Sequence, residues 1–88
     1  MPSFSIEFAP PAARDVRRLD PYVREKLLEA TSVLTQAPYP SGGTRIKLLV
    51  GIEPPHFRLR VGGYRIVYRI EGRQVIVVRV AHRREAYR

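Results

Sequence analysis

Phe57-Arg58-Leu59-Arg60-Val61-Gly62-Gly63-Tyr64-Arg65-Ile66-Val67-Tyr68 is the stretch that decides the fold. Before the glycines, Phe57, Leu59 and Val61 fall on one side and Arg58 and Arg60 on the other. After them, Tyr64, Ile66 and Tyr68 alternate with Arg65 and Val67. Strict alternation marks strands with one face in a core, and Gly62-Gly63 fits a two-residue hairpin turn in which positive φ carries no steric cost. Such a turn pairs Val61 with Tyr64, Arg60 with Arg65 and Leu59 with Ile66. Both faces then match, and two arginines meet across neighbouring strands.

Toward the C-terminus the pattern continues, with strands expected over 56–61, 64–70 and 74–81. In the last of these, Ile76, Val78 and Val80 are read as the core side, with Val75, Val77, Arg79 and Ala81 opposite. A two-residue turn at Glu71-Gly72 sets a core face against the wrong face. A three-residue turn, Glu71-Gly72-Arg73, pairs Ile70 with Gln74 and sets Arg65 opposite Arg79. The expectation is a rung Arg60–Arg65–Arg79 on one face, with Arg58 and Arg69 nearby and Val67, Val75 and Val77 as its floor. Like charges directly opposed in a sheet cost roughly 0.2–1 kcal/mol per pair. A solvated sheet face would let the arginines splay apart, but the valines beside them favour a cleft for a phosphate-bearing or acidic ligand.

Toward the N-terminus, residues 3–8 alternate Phe4, Ile6 and Phe8 with polar neighbours, a half-buried strand that Pro10-Pro11 is read as ending. Ala13, Val16 and Leu19 give a short helix over 12–19. Asp20-Pro21 is a helix start, with Asp at the N-cap and Pro at the first helical position. The second helix carries Val23, Leu27, Ala30 and Leu34 on one face and stops before Pro38. The apolar run 46–50 is either a brief strand or a loop pinned into the core. The fold class is therefore α+β, one domain over 1–88: an N-terminal strand, an antiparallel helical hairpin and a C-terminal antiparallel β-meander.

Charge sharpens the reading. Residues 1–44 hold five Lys/Arg and five acids, whereas residues 45–88 hold eleven Lys/Arg and three acids, so the meander half carries the entire net charge of +8. A basic half arranged as strands suits contact with a polyanion. Fourteen of the sixteen cations are Arg, whose planar fork suits phosphate. The chain has no cysteine, which removes disulfides and cysteine-ligated metal sites. Two histidines and scattered acids lack metal-ligand spacing, so neither metal nor cofactor is expected. No signal peptide and no apolar run of about 18 residues is read, so membrane association is not expected and the location is taken as cytoplasmic. By strand parity His82 continues the core face and Arg83 the arginine face. Tyr87 lies past the strand end, where its ring could cover a cleft or anchor the terminus.

The 57–68 stretch, followed by Val78-Arg79-Val80-Ala81-His82-Arg83-Arg84-Glu85-Ala86-Tyr87-Arg88, resembles the RelE/ParE superfamily of type II toxins over the whole chain. The resemblance implies a RelE-like microbial RNase-type fold and a ribosome-dependent endoribonuclease that cuts mRNA in the A site, with a cognate antitoxin as partner. Its basic positions before the hairpin fall on Arg58 and Arg60, the arginine after the hairpin on Arg65, the late arginine on Arg83 and the tyrosine on Tyr87. In the expected mechanism the substrate's 2′-OH attacks the adjacent phosphate. Arg60 and Arg65 hold the non-bridging oxygens, Arg83 helps the leaving group and Tyr87 positions the 2′-OH. Arg58, Arg79 and His82 are expected to bind substrate, His82 also being a possible proton donor. Two alternatives stand beside this: a ParE-like DNA gyrase inhibitor without nuclease chemistry, and a plain nucleic-acid-binding module.

Overall fold

The computed structural model describes residues 3–41 and 45–82. Its elements are β1 (Ser5–Phe8), α1 (Pro10–Arg17), α2 (Pro21–Leu34), β2 (Ile46–Leu49), β3 (His56–Val61), β4 (Tyr64–Glu71) and β5 (Gln74–His82). The five strands form one sheet in the order β1-β5-β4-β3-β2. β1 runs parallel to β5 and every other neighbour is antiparallel. The chain is α+β, as its pattern indicates, and the run 46–50 resolves as a short edge strand paired to β3.

Helix α1 starts at Pro10, two residues earlier than the periodicity suggests. Pro10-Pro11 opens the helix rather than merely closing the strand. A first-turn N–H has no intrahelical partner, so proline loses nothing there and brings a helical φ. Asp20 caps α2 as expected, its carboxylate accepting from the Tyr22 N–H at 3.0 Å, with Pro21 at the first helical position. Arg24 fastens α2 to the preceding turn, its guanidinium donating to the carbonyls of Val16, Arg17 and Leu19 at 3.3, 3.4 and 2.9 Å. The carbonyls at the end of α1 thus acquire donors they cannot find within the helix.

The core lies between the helices and one sheet face. Leu27 and Leu34 of α2 and Ala12 of α1 meet Ile46, Leu59, Ile66, Tyr68, Val75, Val77 and Val80, with Val23 and Ala30 packed alongside. Tyr68 is fully buried and donates its hydroxyl to the Pro38 carbonyl at 2.7 Å. Desolvation by burial raises its pKa above the ordinary tyrosine value. Phe57 stacks on Tyr68 with ring centroids 5.7 Å apart, and Tyr39 meets Phe57 edge-on at 6.2 Å. No helix among the described residues is long and apolar enough to cross a membrane.

Register departs from expectation at one place. The β3–β4 hairpin pairs Val61 with Tyr64, Arg60 with Arg65 and Leu59 with Ile66, as its sequence requires. The β4–β5 hairpin instead turns on Gly72-Arg73, so that Glu71 pairs with Gln74 and Ile70 with Val75. Val75 and Val77 therefore face the core, and Ile76, opposite Arg69, faces away. Past Val77 the register shifts: Tyr68 pairs with Val77 and Val67 with Arg79, leaving Val78 as an extra residue. This bulge restores parity, returning Val80 to the core and Arg79 and Ala81 to the opposite face.

Candidate nucleic-acid interface

The sheet face turned away from the helices carries the cations. Three cross-strand rows follow from the pairings. Nearest the β3–β4 turn are Arg60, Arg65 and Ala81; next come Lys47, Arg58, Val67 and Arg79; then His56, Arg69 and Ile76. Alternation along each strand is what collects them, since successive side chains point to opposite faces.

The expected rung of three arginines is not formed. Arg65 lies opposite Arg60 on one side but opposite Ala81 on the other, and Arg79 sits one row away beside Val67. The physical cause is the two-residue Gly72-Arg73 turn and the compensating bulge. Val75 and Val77 are correspondingly removed from the floor, where Val67 remains and Ile76 joins it. What the structure does assemble is a directly opposed pair, Arg60 and Arg65, with Arg58 next to them. Arg60 is exposed, Arg58 half-buried and Arg65 buried at 7% exposure. Two cations side by side on neighbouring strands concentrate positive potential at the surface they share.

Arg79 has a different role. Its Nε donates to the Asp15 carboxylate at 2.8 Å, and the other oxygen lies 3.4 Å from a terminal nitrogen. The same carboxylate accepts from the Val80 backbone N–H at 2.8 Å. β1 pairs with β5 only as far as Val77, so Val80 lies on an uncovered stretch of edge and Asp15 of α1 closes it. Arg69 is also engaged, with Glu71 at 2.8 Å.

His82 lies opposite Tyr64 and meets its ring edge-on, centroids 5.2 Å apart. It thus continues the core face, as parity requires. It also covers the first hairpin: a Cβ placed on Gly63 would stand 3.0 Å from the His82 Nε2. Gly62 takes the positive φ of that turn, at 58°, whereas Gly63 provides clearance for the imidazole. This geometry makes His82 a packing element of the hairpin end rather than a group on the cationic face. Arg83 and Tyr87 lie outside the described residues. Among the described residues, no group of three or more His, Asp and Glu side chains is arranged to hold a metal ion.

Asp15 is the residue that sequence reading missed. It is the lone acid of α1, set among Arg14, Arg17 and Arg18, and half-buried. A single acid within a basic helix, without an opposite charge required locally, was the available signal.

With the geometry in place, similarity to known proteins is informative. The model of the ParE toxin family, toxins of the type II toxin-antitoxin system parDE, matches residues 6–87. Toxin RelG of Mycobacterium tuberculosis is 32% identical over 88 residues, covering 97% of each chain. A chain in the crystal structure of the toxin-antitoxin complex RelBE2 from the same organism superposes with a TM-score of 0.78 at 29% identity, covering 93% of each. The isolated Escherichia coli RelE toxin superposes with a TM-score of 0.74 at 23% identity, over 97% of this chain and 96% of that one, a likeness of fold.

Proposed function

Because this chain belongs to the RelE/ParE superfamily, the toxins of type II toxin-antitoxin systems, we propose that it is a ribosome-dependent endoribonuclease that cuts mRNA in the A site. The observation that supports this most is the directly opposed Arg60–Arg65 pair on the face turned away from the helices. A sheet built for stability alone gains nothing from that juxtaposition. A phosphate bound above it gains two charges at once.

Cleavage proceeds by attack of the ribose 2′-OH on the adjacent phosphorus. The P–O5′ bond breaks, and the products are a 2′,3′-cyclic phosphate and a free 5′-OH. Arg60 contacts the non-bridging oxygens from the exposed row. Arg65 adds its charge from the neighbouring strand, and Arg58 grips the adjoining backbone. Arg83 serves the leaving oxygen and Tyr87 orients the 2′-OH, the roles that the family resemblance implies. Arg79, tied to Asp15 one row away, is removed from the phosphate clamp. Permanent cations supply electrostatic stabilisation but no proton acceptor at neutral pH, which suits an enzyme that relies on the ribosome to orient its substrate.

The partner is a cognate antitoxin that presents an acidic or amphipathic segment ordered on binding. The RelBE2 relative was crystallised as a toxin-antitoxin complex, which supports this assignment. The test is reconstitution with purified ribosomes. Wild-type protein cleaves mRNA on programmed ribosomes to a 2′,3′-cyclic phosphate end, and Arg65→Ala does not. Equal cleavage of free and ribosome-bound mRNA, or full activity of Arg65→Ala, overturns the assignment. Gyrase inhibition without any RNA cleavage would select the ParE-like alternative.

A further inference from the structure

The first cross-strand row does not end at Arg60. The Arg60 N–H donates to the Arg45 carbonyl at 3.2 Å and Ile46 pairs with Leu59, so Arg45 lies opposite Arg60 as the chain enters β2. Ile46 is buried in the core, and alternation therefore puts Arg45 on the face turned away from the helices. Arg45, Arg60 and Arg65 thus make a row of three arginines across three neighbouring strands. Lys47, opposite Arg58, follows Arg45 on the same face. Arg45, Lys47 and Arg60 are all exposed.

Acids divide this face unevenly. Arg69 of β4 is paired with Glu71, and Arg79 of β5 with Asp15, while the β5 end of the first row is the neutral Ala81. Arg45 and Lys47 make no ion pair among the described residues. Positive potential therefore extends from the Arg60–Arg65 pair toward β2 rather than toward β5. With strands about 4.8 Å apart, Arg45 stands roughly 10 Å from Arg65 across the sheet. That spacing suits the next phosphate along a strand, not the one that Arg60 and Arg65 share.

We infer that Arg45, supported by Lys47, binds the phosphate adjoining the scissile one, so that the RNA strand crosses the sheet from β4 toward β2. The inference rests on the proposed nuclease reading and adds to it the path of the substrate. An acidic protein segment would also meet these cations. Only a strand threaded over Arg60 and Arg65, however, is led to Arg45 by the continuity of the row.

The test measures binding of wild type, Arg45→Ala and Arg45→Lys to ribosomes programmed with mRNA carrying a 2′-deoxy residue at the cut site, which cannot be cleaved. Arg45→Ala is expected to weaken binding about tenfold, the scale of one charge-assisted contact. The slope of log K against log salt should fall by about 0.7, the single-strand value for one phosphate. Arg45→Lys should recover most of the binding, which separates charge from folding. A neutral methylphosphonate at one of the two linkages flanking the cut should weaken wild type similarly and Arg45→Ala no further. On cleavable mRNA, KM should rise far more than kcat falls. Unchanged affinity and slope in Arg45→Ala overturn the inference, as do additive losses at both modified linkages. So does intact RNA binding with loss of antitoxin affinity, which would make the row a protein contact. If wild type cleaves no mRNA, the nuclease reading fails, and binding to the uncleavable message still decides whether Arg45 holds a phosphate.

Discussion

The Asp15 carboxylate holds the Arg79 guanidinium and the Val80 backbone N–H together, each at 2.8 Å, across the point where α1 meets the uncovered edge of β5. Its two partners differ in value. The Arg79 side chain is 59% exposed, so solvent screens the ion pair, whereas the Val80 amide belongs to a residue only 5% exposed. Asp15→Ala is expected to cost about 1 kcal/mol, mainly through the stranded amide, and Arg79→Ala less than about 0.5 kcal/mol. Urea denaturation of the two variants checks the order. Equal losses would show that the charge pair, not the edge amide, carries the interaction.

Arg60 and Arg65 oppose one another directly. Removing the exposed member should relieve repulsion. Arg60→Ala is expected to gain up to about 0.5 kcal/mol of stability at low salt, a gain that shrinks as salt screens the pair. The same substitution should lower kcat on programmed ribosomes about a hundredfold, the scale for losing one preorganised transition-state donor. A variant both less stable and fully active would separate the pair from function.

Gly63 lies under the His82 imidazole, where an added Cβ would stand 3.0 Å from Nε2. Gly63→Ala is expected to displace the ring from Tyr64 and to cost about 1–2 kcal/mol through overpacking. The double variant Gly63→Ala, His82→Ala should recover part of that cost, because the obstacle is then gone. Strictly additive losses in the double-mutant cycle would exclude the contact as the cause.

Tyr68 gives a pH signature. Burial raises its folded-state pKa, so the neutral phenol is favoured in the native protein. The unfolded phenol titrates near pH 10, so this contribution is fully present below about pH 10 and is lost as pH rises above it toward the folded pKa. Wild type should therefore lose more stability than Tyr68→Phe between about pH 9 and 11. At neutral pH, Tyr68→Phe should cost about 1 kcal/mol for the lost hydrogen bond to Pro38. Parallel alkaline profiles would contradict this account.

Much of the fold is written in local pattern. The Asp20 cap, the α2 face of Val23, Leu27, Ala30 and Leu34, and the β3–β4 register all follow from spacing, and the structure contains each. The β4–β5 register was not legible because Val75-Ile76-Val77-Val78 is apolar on both parities, so alternation carries no information there. The two-residue turn was signalled by Gly72 itself, whose φ is +60°. The bulge at Val78 has no local signature, since it arises from matching a displaced strand to the core. For the site, the same boundary holds: the opposed arginines were legible from one hairpin, whereas the Asp15–Arg79 tie joins residues 64 apart.

On the proposed reading, opposed arginines on the sheet face turned away from the helices direct the cutting of translated mRNA. Its most direct test maps mRNA 5′ ends in cells induced to express wild type or Arg60→Ala without antitoxin. Wild type is expected to generate new ends inside translated reading frames, in phase with codons and abolished when ribosomes are kept off the message, and Arg60→Ala to generate few. New ends that ignore reading frame, or an absence of new ends together with gyrase-linked DNA breaks, would contradict the account.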